Sequence, residues 1–236
     1  MGTKRVIHAS ELTKDIHKLF DKLFQRHSKW QAFSDFLAIA ACAISNSVDT
    51  RNYKEREKQY MDTVKKYNSE ELDLFTQILA ELVMAMEQCV QKGDLQDVLG
   101  RLFHEFGLHN ERNGQFFTPQ NVADMMALMM LGDTIPEIEE RGFASFATLG
   151  EPACGSGVMM ISAAKAVQKA GNNYCTQMVA DCIDIDISCV HMCYIQLSLY
   201  GIPAVVRHGN SLMFKIWSNW YTPVFVVGGW LRKYGK

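Results

Sequence analysis

The sequence predicts an α/β fold in which a helical N-terminal region, residues 1–106, precedes a parallel-sheet unit over residues 107–236. Three observations point there. Apolar residues recur at helical spacing through the N-terminal region. From Phe143 onward, short apolar runs alternate with helical stretches at the length of right-handed βαβ units. A glycine turn, Glu151-Pro152-Ala153-Cys154-Gly155-Ser156-Gly157, joins the first of those runs to its helix.

The elements follow in order. Ser10 stands where it can cap a helix carrying Leu12, Ile16, Leu19, Phe20 and Leu23. Trp30 to Ile44 is more fully apolar and suits the centre of a bundle. Arg51 to Tyr67 is highly charged, the pattern of a solvated face. Ser69, followed by Glu70 and Glu71, reads as the start of a helix through Leu72, Phe75, Leu79, Leu82, Val83 and Met86. Lys92-Gly93-Asp94 breaks the chain, and Leu95 to Phe106 forms a short helix. Thr118 as N-cap and Pro119 at the first helical position open a helix whose methionines (Met125, Met126, Met129, Met130) read as flexible core filler. Strands are expected at Phe146–Leu149, Gln177–Ile183, Ala204–Arg207 and Val224–Val227. Helices are expected between them at Val158–Lys169 and Ser188–Tyr200.

Composition removes several classes. At 48% hydrophobic and 21% charged with 5 prolines, the chain is not of a disordered, collagenous or disulfide-scaffold type. A net charge of −2 argues against a uniformly basic nucleic-acid coat and leaves room for local basic patches. No run of about eighteen apolar residues is present, so no membrane helix is expected. His8, Ser10 and Glu11 stand where a signal peptide needs its apolar stretch. Seven cysteines without a CxxC pair fit a reducing compartment, and the cytoplasm is the expected location. Cys189 and Cys193, near Cys182 and His191, lack zinc-ribbon spacing and read as small buried hydrophobes, so no metal is expected.

The chemistry gathers at three places. Gly155 and Gly157 lack the Cβ atoms that would hold a ligand away from the carboxyl end of the sheet. Asp184 ends the next strand, where an acidic side chain accepts hydrogen bonds from ribose hydroxyls, and Asp186 reads as the N-cap of the helix that follows. The helix start after Gly114-Gln115-Phe116-Phe117-Thr118-Pro119 points amides and a hydroxyl outward, a geometry that holds a carboxylate.

GQFFTP, then EPACGSG, then DID at the end of the next strand resembles the N6-adenine DNA methyltransferase family, in particular the modification subunits of type I restriction systems. The resemblance spans Leu95 to Leu212. It implies a Rossmann-like, S-adenosylmethionine-dependent methyltransferase sheet after a helical region. It further implies that Gln115, Phe116, Phe117, Thr118 and Pro119 contact the methionyl part of S-adenosylmethionine. Glu151, Gly155, Ser156 and Gly157 would line its middle and Asp184 its ribose. Asn210, in His208-Gly209-Asn210-Ser211-Leu212, is the candidate for its adenine.

One part of the family pattern is missing. Adenine N6 is a poor nucleophile because its lone pair is delocalised into the ring. The family's Asn/Asp-Pro-Pro-aromatic tetrapeptide accepts the amine hydrogens and stacks on the flipped base. Here Val224 to Val227 run into Gly228-Gly229-Trp230-Leu231, two glycines with no side-chain acceptor, and Trp230 alone is left to stack. No catalytic residue is therefore named. The sheet is expected to be incomplete at the C-terminus, with Val224–Val227 an open edge covered by a second chain or by self-association. DNA contact is sought in the basic N-terminal helices. Lys4, Arg5, Lys14, Lys18, Lys22, Arg26 and Lys29 form one cluster there, and Lys54, Arg56, Lys58, Lys65 and Lys66 a second. The expected function is S-adenosylmethionine binding in DNA adenine modification with a partner chain. The alternative is a non-catalytic relative that binds cofactor or DNA and modulates a modification complex.

Overall fold

The computed structural model describes residues 12–108, 117–132 and 146–234. Ser10, Lys4 and Arg5 lie outside them. Among the described residues the N-terminal part holds α1 (Lys14–Phe24), α2 (Lys29–Asn46), α3 (Tyr53–Val64), α4 (Ser69–Lys92) and α5 (Val98–Glu105). Local chemistry sets their ends. Ser28 caps α2 by accepting the Gln31 amide. α4 starts at Ser69 as expected, and Asn68 before it is the cap. The Asn68 side chain accepts the Glu71 amide and the Glu71 carboxylate accepts the Asn68 amide, a reciprocal pair that Ser69 is one residue too late to make. Gly93 ends α4 at φ +65°.

Two expectations about exposure are corrected. The Arg51–Tyr67 stretch is not wholly solvated. Arg56 is 5% exposed, its guanidinium stacked 3.3 Å above the Trp220 ring and bonded to the Asn219 carbonyl, and Tyr67 is buried with its hydroxyl on Asp35. Next, α6 (Gln120–Leu131) starts one residue later than expected, with Pro119 in the cap position. It seats Ala123, Ala127 and Leu131 inward because small side chains let it approach α7, so its methionines are 42–76% exposed instead of filling core.

The remaining elements are β1 (Ala147–Glu151), α7 (Val158–Lys169), the short α8 (Tyr174–Gln177), β2 (Met178–Asp184), α9 (Ile187–Leu199), β3 (Ala204–Asn210), β4 (Lys215–Tyr221), α10 (Pro223–Val227) and α11 (Trp230–Tyr234). The strands lie in sequence order across one sheet, with β1, β2 and β3 parallel. The fourth strand is not Val224–Val227. It is β4, a hairpin return antiparallel to β3, so the sheet is mixed. Val224–Val227 instead form a helical turn behind Thr222, with Pro223 at the first helical position and Gly228 after the end. With that strand absent, the apolar edge it was to present is not formed. Among the described residues, β1 and β4 are the edges of the sheet.

One hydrophobic cluster runs continuously from Ile16 in α1 to Trp220 in β4, burying Ala180, Cys182 and Val206 from one sheet face. The other face meets a small cluster of Val179, Phe225 and Trp230 with Phe146 and Tyr221 around it. The C-terminal turns thus pack beneath the sheet while α7 and α9 pack above it.

Candidate functional site

At the carboxyl end of β1 the chain turns through residues 152–157 into α7. Gly155 and Gly157 have φ of +52° and +95°, conformations that side chains disfavour. A Cβ on Gly155 would lie 3.1 Å from the Phe117 ring, and one on Gly157 would lie 3.0 Å from Cys193 Sγ. The space these glycines leave is taken by protein: Phe117 lies against the turn, and α7 seats on α9. The expectation that both clear room for a ligand is corrected to that extent.

Backbone amides tie the turn to β2. Cys154 N donates to the Ile183 carbonyl at 2.9 Å, and Gly155 N donates to Asp184 Oδ2 at 2.8 Å. The other oxygen, Asp184 Oδ1, accepts the Asp186 amide at 2.9 Å. Burial pushes the Asp184 carboxyl up, and these two amides oppose it. Each carboxylate oxygen keeps capacity for a further donor. Asp186 caps α9 as expected, accepting the Ser188 amide at 2.8 Å.

In front of the turn lies a cleft of about 720 Å³. Phe117, Thr118 and Met126 wall one side, Glu151, Gly155 and Met159 the middle, and Asp184, Ile185, Asp186 and Cys189 the other side. Burial pushes the Glu151 carboxyl up, and the Ala153 amide, 3.2 Å from its Oε1, pulls it down. The lining carries three carboxylates and, among the described residues, no lysine, arginine or histidine. Among the described residues, such a lining is electrostatically better suited to a cation than to an anion.

Six of the expected residues therefore meet: Phe117, Thr118, Glu151, Gly155, Ser156 and Asp184. Ser156 brings its backbone, since its hydroxyl turns inward to Asp97 at 2.5 Å. Pro119 and Gly157 do not line the cleft. Asn210 does not either. Its Oδ1 accepts the Met213 amide at 3.0 Å and closes the β3–β4 hairpin. Gln115 and Phe116 lie outside the described residues. Sequence reasoning passed over Ile185, Cys189, Met126 and Met159 as lining. Ile185 directly follows Asp184, and the other three lie within about two turns of their helix starts, so position relative to the motifs would have found them.

A second cavity, about 610 Å³, opens on the opposite sheet face and shares Glu151. It holds the Arg207–Asp181 ion pair, 2.6 Å at its shorter contact, and none of the other expected residues. The larger cleft is the candidate site because the three sequence motifs converge only there.

Comparison with known proteins bears on the family. The family model described as N-6 DNA Methylase matches residues 91–227, more than half of the chain. No curated protein matches it. Among solved structures the chain is similar to the methyltransferase subunit of a type I restriction-modification system from Streptococcus thermophilus. Identity is 14% and the TM-score 0.38, over 83% of this chain and 57% of that one. The chain spans little more than half of that subunit's length. On the extent of the family match, this chain belongs to the N-6 DNA methylase family.

Proposed function

We propose that the cleft binds S-adenosylmethionine and that the protein acts in adenine-N6 DNA modification with a partner chain. The observation that carries the reading is the carboxylate wall around the glycine turn. Glu151 and Asp184 line the cleft, and among the described residues that lining carries no lysine, arginine or histidine, which suits a nucleoside carrying a sulfonium and an ammonium. Asp184 accepts the ribose hydroxyls, Glu151 and the backbone of residues 155–157 hold the middle, and the helix start at Thr118 and Pro119 takes the methionyl carboxylate. Gln115 and Phe116 join them by family resemblance. Asn210 is omitted because its side chain is committed to the hairpin. When bound, the cofactor supplies an electrophilic methyl group.

The Asn/Asp-Pro-Pro-aromatic tetrapeptide that would supply the other half of the chemistry does not occur in this sequence. Gly228 and Gly229 carry no acceptor for the amine hydrogens of adenine. Trp230 is 1% exposed and packs edge-on against Phe146 at 4.9 Å, so it is not offered to a base. A partner chain provides the acceptors and the stacking surface. Exposed lysines supply phosphate contact: Lys14, Lys18, Lys22 and Lys29 on α1 and α2, and Lys54 and Lys58 on α3. Arg56 is withdrawn from that set by its burial. The cytoplasm is the proposed compartment. Among the described residues no helix is long and apolar enough to cross a membrane.

Calorimetric titration with S-adenosylhomocysteine tests the cofactor assignment. Micromolar binding is expected, weakened about ten-fold in Asp184→Ala, the loss typical of a charged acceptor. Unchanged affinity in that variant would remove Asp184 from the site. A second reading, a non-catalytic cofactor-binding relative, is favoured by the absence of the Asn/Asp-Pro-Pro-aromatic tetrapeptide from this sequence. Methyl transfer to unmodified DNA by the purified chain alone would contradict it.

A further inference from the structure

The glycine turn is held from behind as well as from Asp184. Asp97, the N-cap of α5, lies 59 residues earlier in the chain, and its Oδ2 accepts the Ser156 hydroxyl at 2.5 Å. Its Oδ1 accepts the Gly100 amide at 2.9 Å and Gln196 Nε2 at 2.7 Å. Gln196 is fully buried. Its Nε2 also donates to the Ser156 carbonyl at 2.9 Å, while its Oε1 accepts the Leu99 amide. The hydroxyl and the carbonyl of Ser156 are thereby both engaged.

A second observation is independent of these bonds. Gly100 sits inside α5, where glycine costs about 1 kcal/mol relative to alanine. A Cβ there would stand 2.1 Å from Asp97 Oδ2 and 2.6 Å from Ser156 Oγ. Only a glycine at this position lets the carboxylate and the hydroxyl meet.

We infer that Asp97, with Gly100 as its clearance, is a positioning residue that fixes the glycine turn in the shape the cofactor needs, without touching the cofactor. The inference rests on the cofactor reading given above. Pinned by Asp97 at Ser156 and by Asp184 at Gly155, the turn has one arrangement in the empty protein, and binding does not have to order it. The clasp also makes the cofactor cleft depend on α5 of the helical region.

The test compares Asp97→Ala, Asp97→Asn, Gly100→Ala and Ser156→Ala in the full chain. Two quantities are read: affinity for S-adenosylhomocysteine, and amide hydrogen exchange at residues 154–157 in the ligand-free protein. Asp97→Ala should bind about ten-fold more weakly and exchange faster across the turn. Asp97→Asn should restore most of both, because its amide oxygen can accept the two Oδ1 donors while its nitrogen donates to Ser156 Oγ. Gly100→Ala should behave like Asp97→Ala even though alanine favours the helix. In the Ser156→Ala background, Asp97→Ala should cost less than it does in the unaltered chain, since only the Oδ1 contacts are then left to lose. Ser156→Ala removes one hydroxyl only, so it keeps the test open if Asp97→Ala fails to fold. Affinity and turn exchange unchanged in a folded Asp97→Ala or Ser156→Ala protein would overturn the clasp. So would an Asp97→Asn variant as impaired as Asp97→Ala, which would show that charge, and not positioning, is what matters. If the unaltered chain does not bind the ligand, the cofactor reading fails, and the exchange measurement still decides whether the clasp orders the turn.

Discussion

The helical region and the sheet region are packed by opposite means. Around α1 and α2 the core is aromatic. Phe20 touches Phe33, Phe36 and Phe106 with ring centroids 5.1–5.6 Å apart, and Phe75 and Phe103 extend the group. Between α7, α9 and the sheet, small residues such as Ala163, Ala164, Ala180, Cys182 and Cys193 are buried at the close approaches, beside larger ones such as Ile161, Met192 and Tyr194. Large rings fill the space between well-separated helices. Small side chains bring backbones together, which the turn at residues 152–157 requires if its amides are to reach β2. The lesson is that the first region answers to volume and the second to clearance.

Substitutions should separate the two. The largest loss is expected for Phe20→Ala, about 3–5 kcal/mol in chemical denaturation, because a fully buried ring leaves a cavity among other rings. A loss below about 1 kcal/mol would mean that this core is not rigidly packed. In the sheet region the damaging change runs the other way. Ala180→Leu, adding bulk at a fully buried strand position, should cost about 1–3 kcal/mol and weaken cofactor binding as well. If stability falls with no change in affinity, the clearance of the sheet core does not govern the turn.

A smaller effect lies where the two regions join. His191 is buried, its ring edge-on to Trp220 at 4.8 Å and its Nε2 without a hydrogen-bond partner. Burial, reinforced by Arg56, lowers it from 6.5 to about 3. A depressed histidine stays neutral in the folded state while the unfolded chain takes up the proton. Its contribution is therefore complete above pH 6.5 and is lost as pH falls toward 3. His191→Phe keeps a ring and should flatten the stability curve across that window. An unchanged slope would show that other groups set it.

The smallest effect concerns the surface. Lys22→Ala and Lys58→Ala should leave stability within about 0.5 kcal/mol. If these helices meet DNA, each should also reduce the salt dependence of duplex binding by about one counterion. Equal salt slopes in both variants and the unaltered chain would remove DNA from these helices.

Much of this was legible in the sequence, and the failures have specific causes. Val158–Lys169 matched to the residue because Gly157 and Gly171 bracket a single apolar period. Val224–Val227 misled because four β-branched or aromatic residues resemble a strand. Thr222-Pro223 before them and Gly228 after them are helix punctuation, and five residues are too few for a period to show. β4 was missed because Lys215–Tyr221 is set by pairing with β3, a long-range choice that local pattern does not carry. Arg56 looked solvated because no local signal announces that Trp220 will come to lie against it. The cleft was readable from its three motifs. The clasp behind it was not, since Asp97 and Ser156 meet only after the fold forms.

The most direct test of the cofactor site compares titrations with S-adenosylmethionine and with ATP under the same conditions. A cleft lined by Glu151 and Asp184 should bind the cationic sulfonium nucleoside in the micromolar range and the polyphosphate not measurably, with affinity for the former falling as acid protonates these two carboxyls, both of which burial pushes up. ATP binding as tightly as S-adenosylmethionine, or neither binding at all, would contradict that account of the cleft.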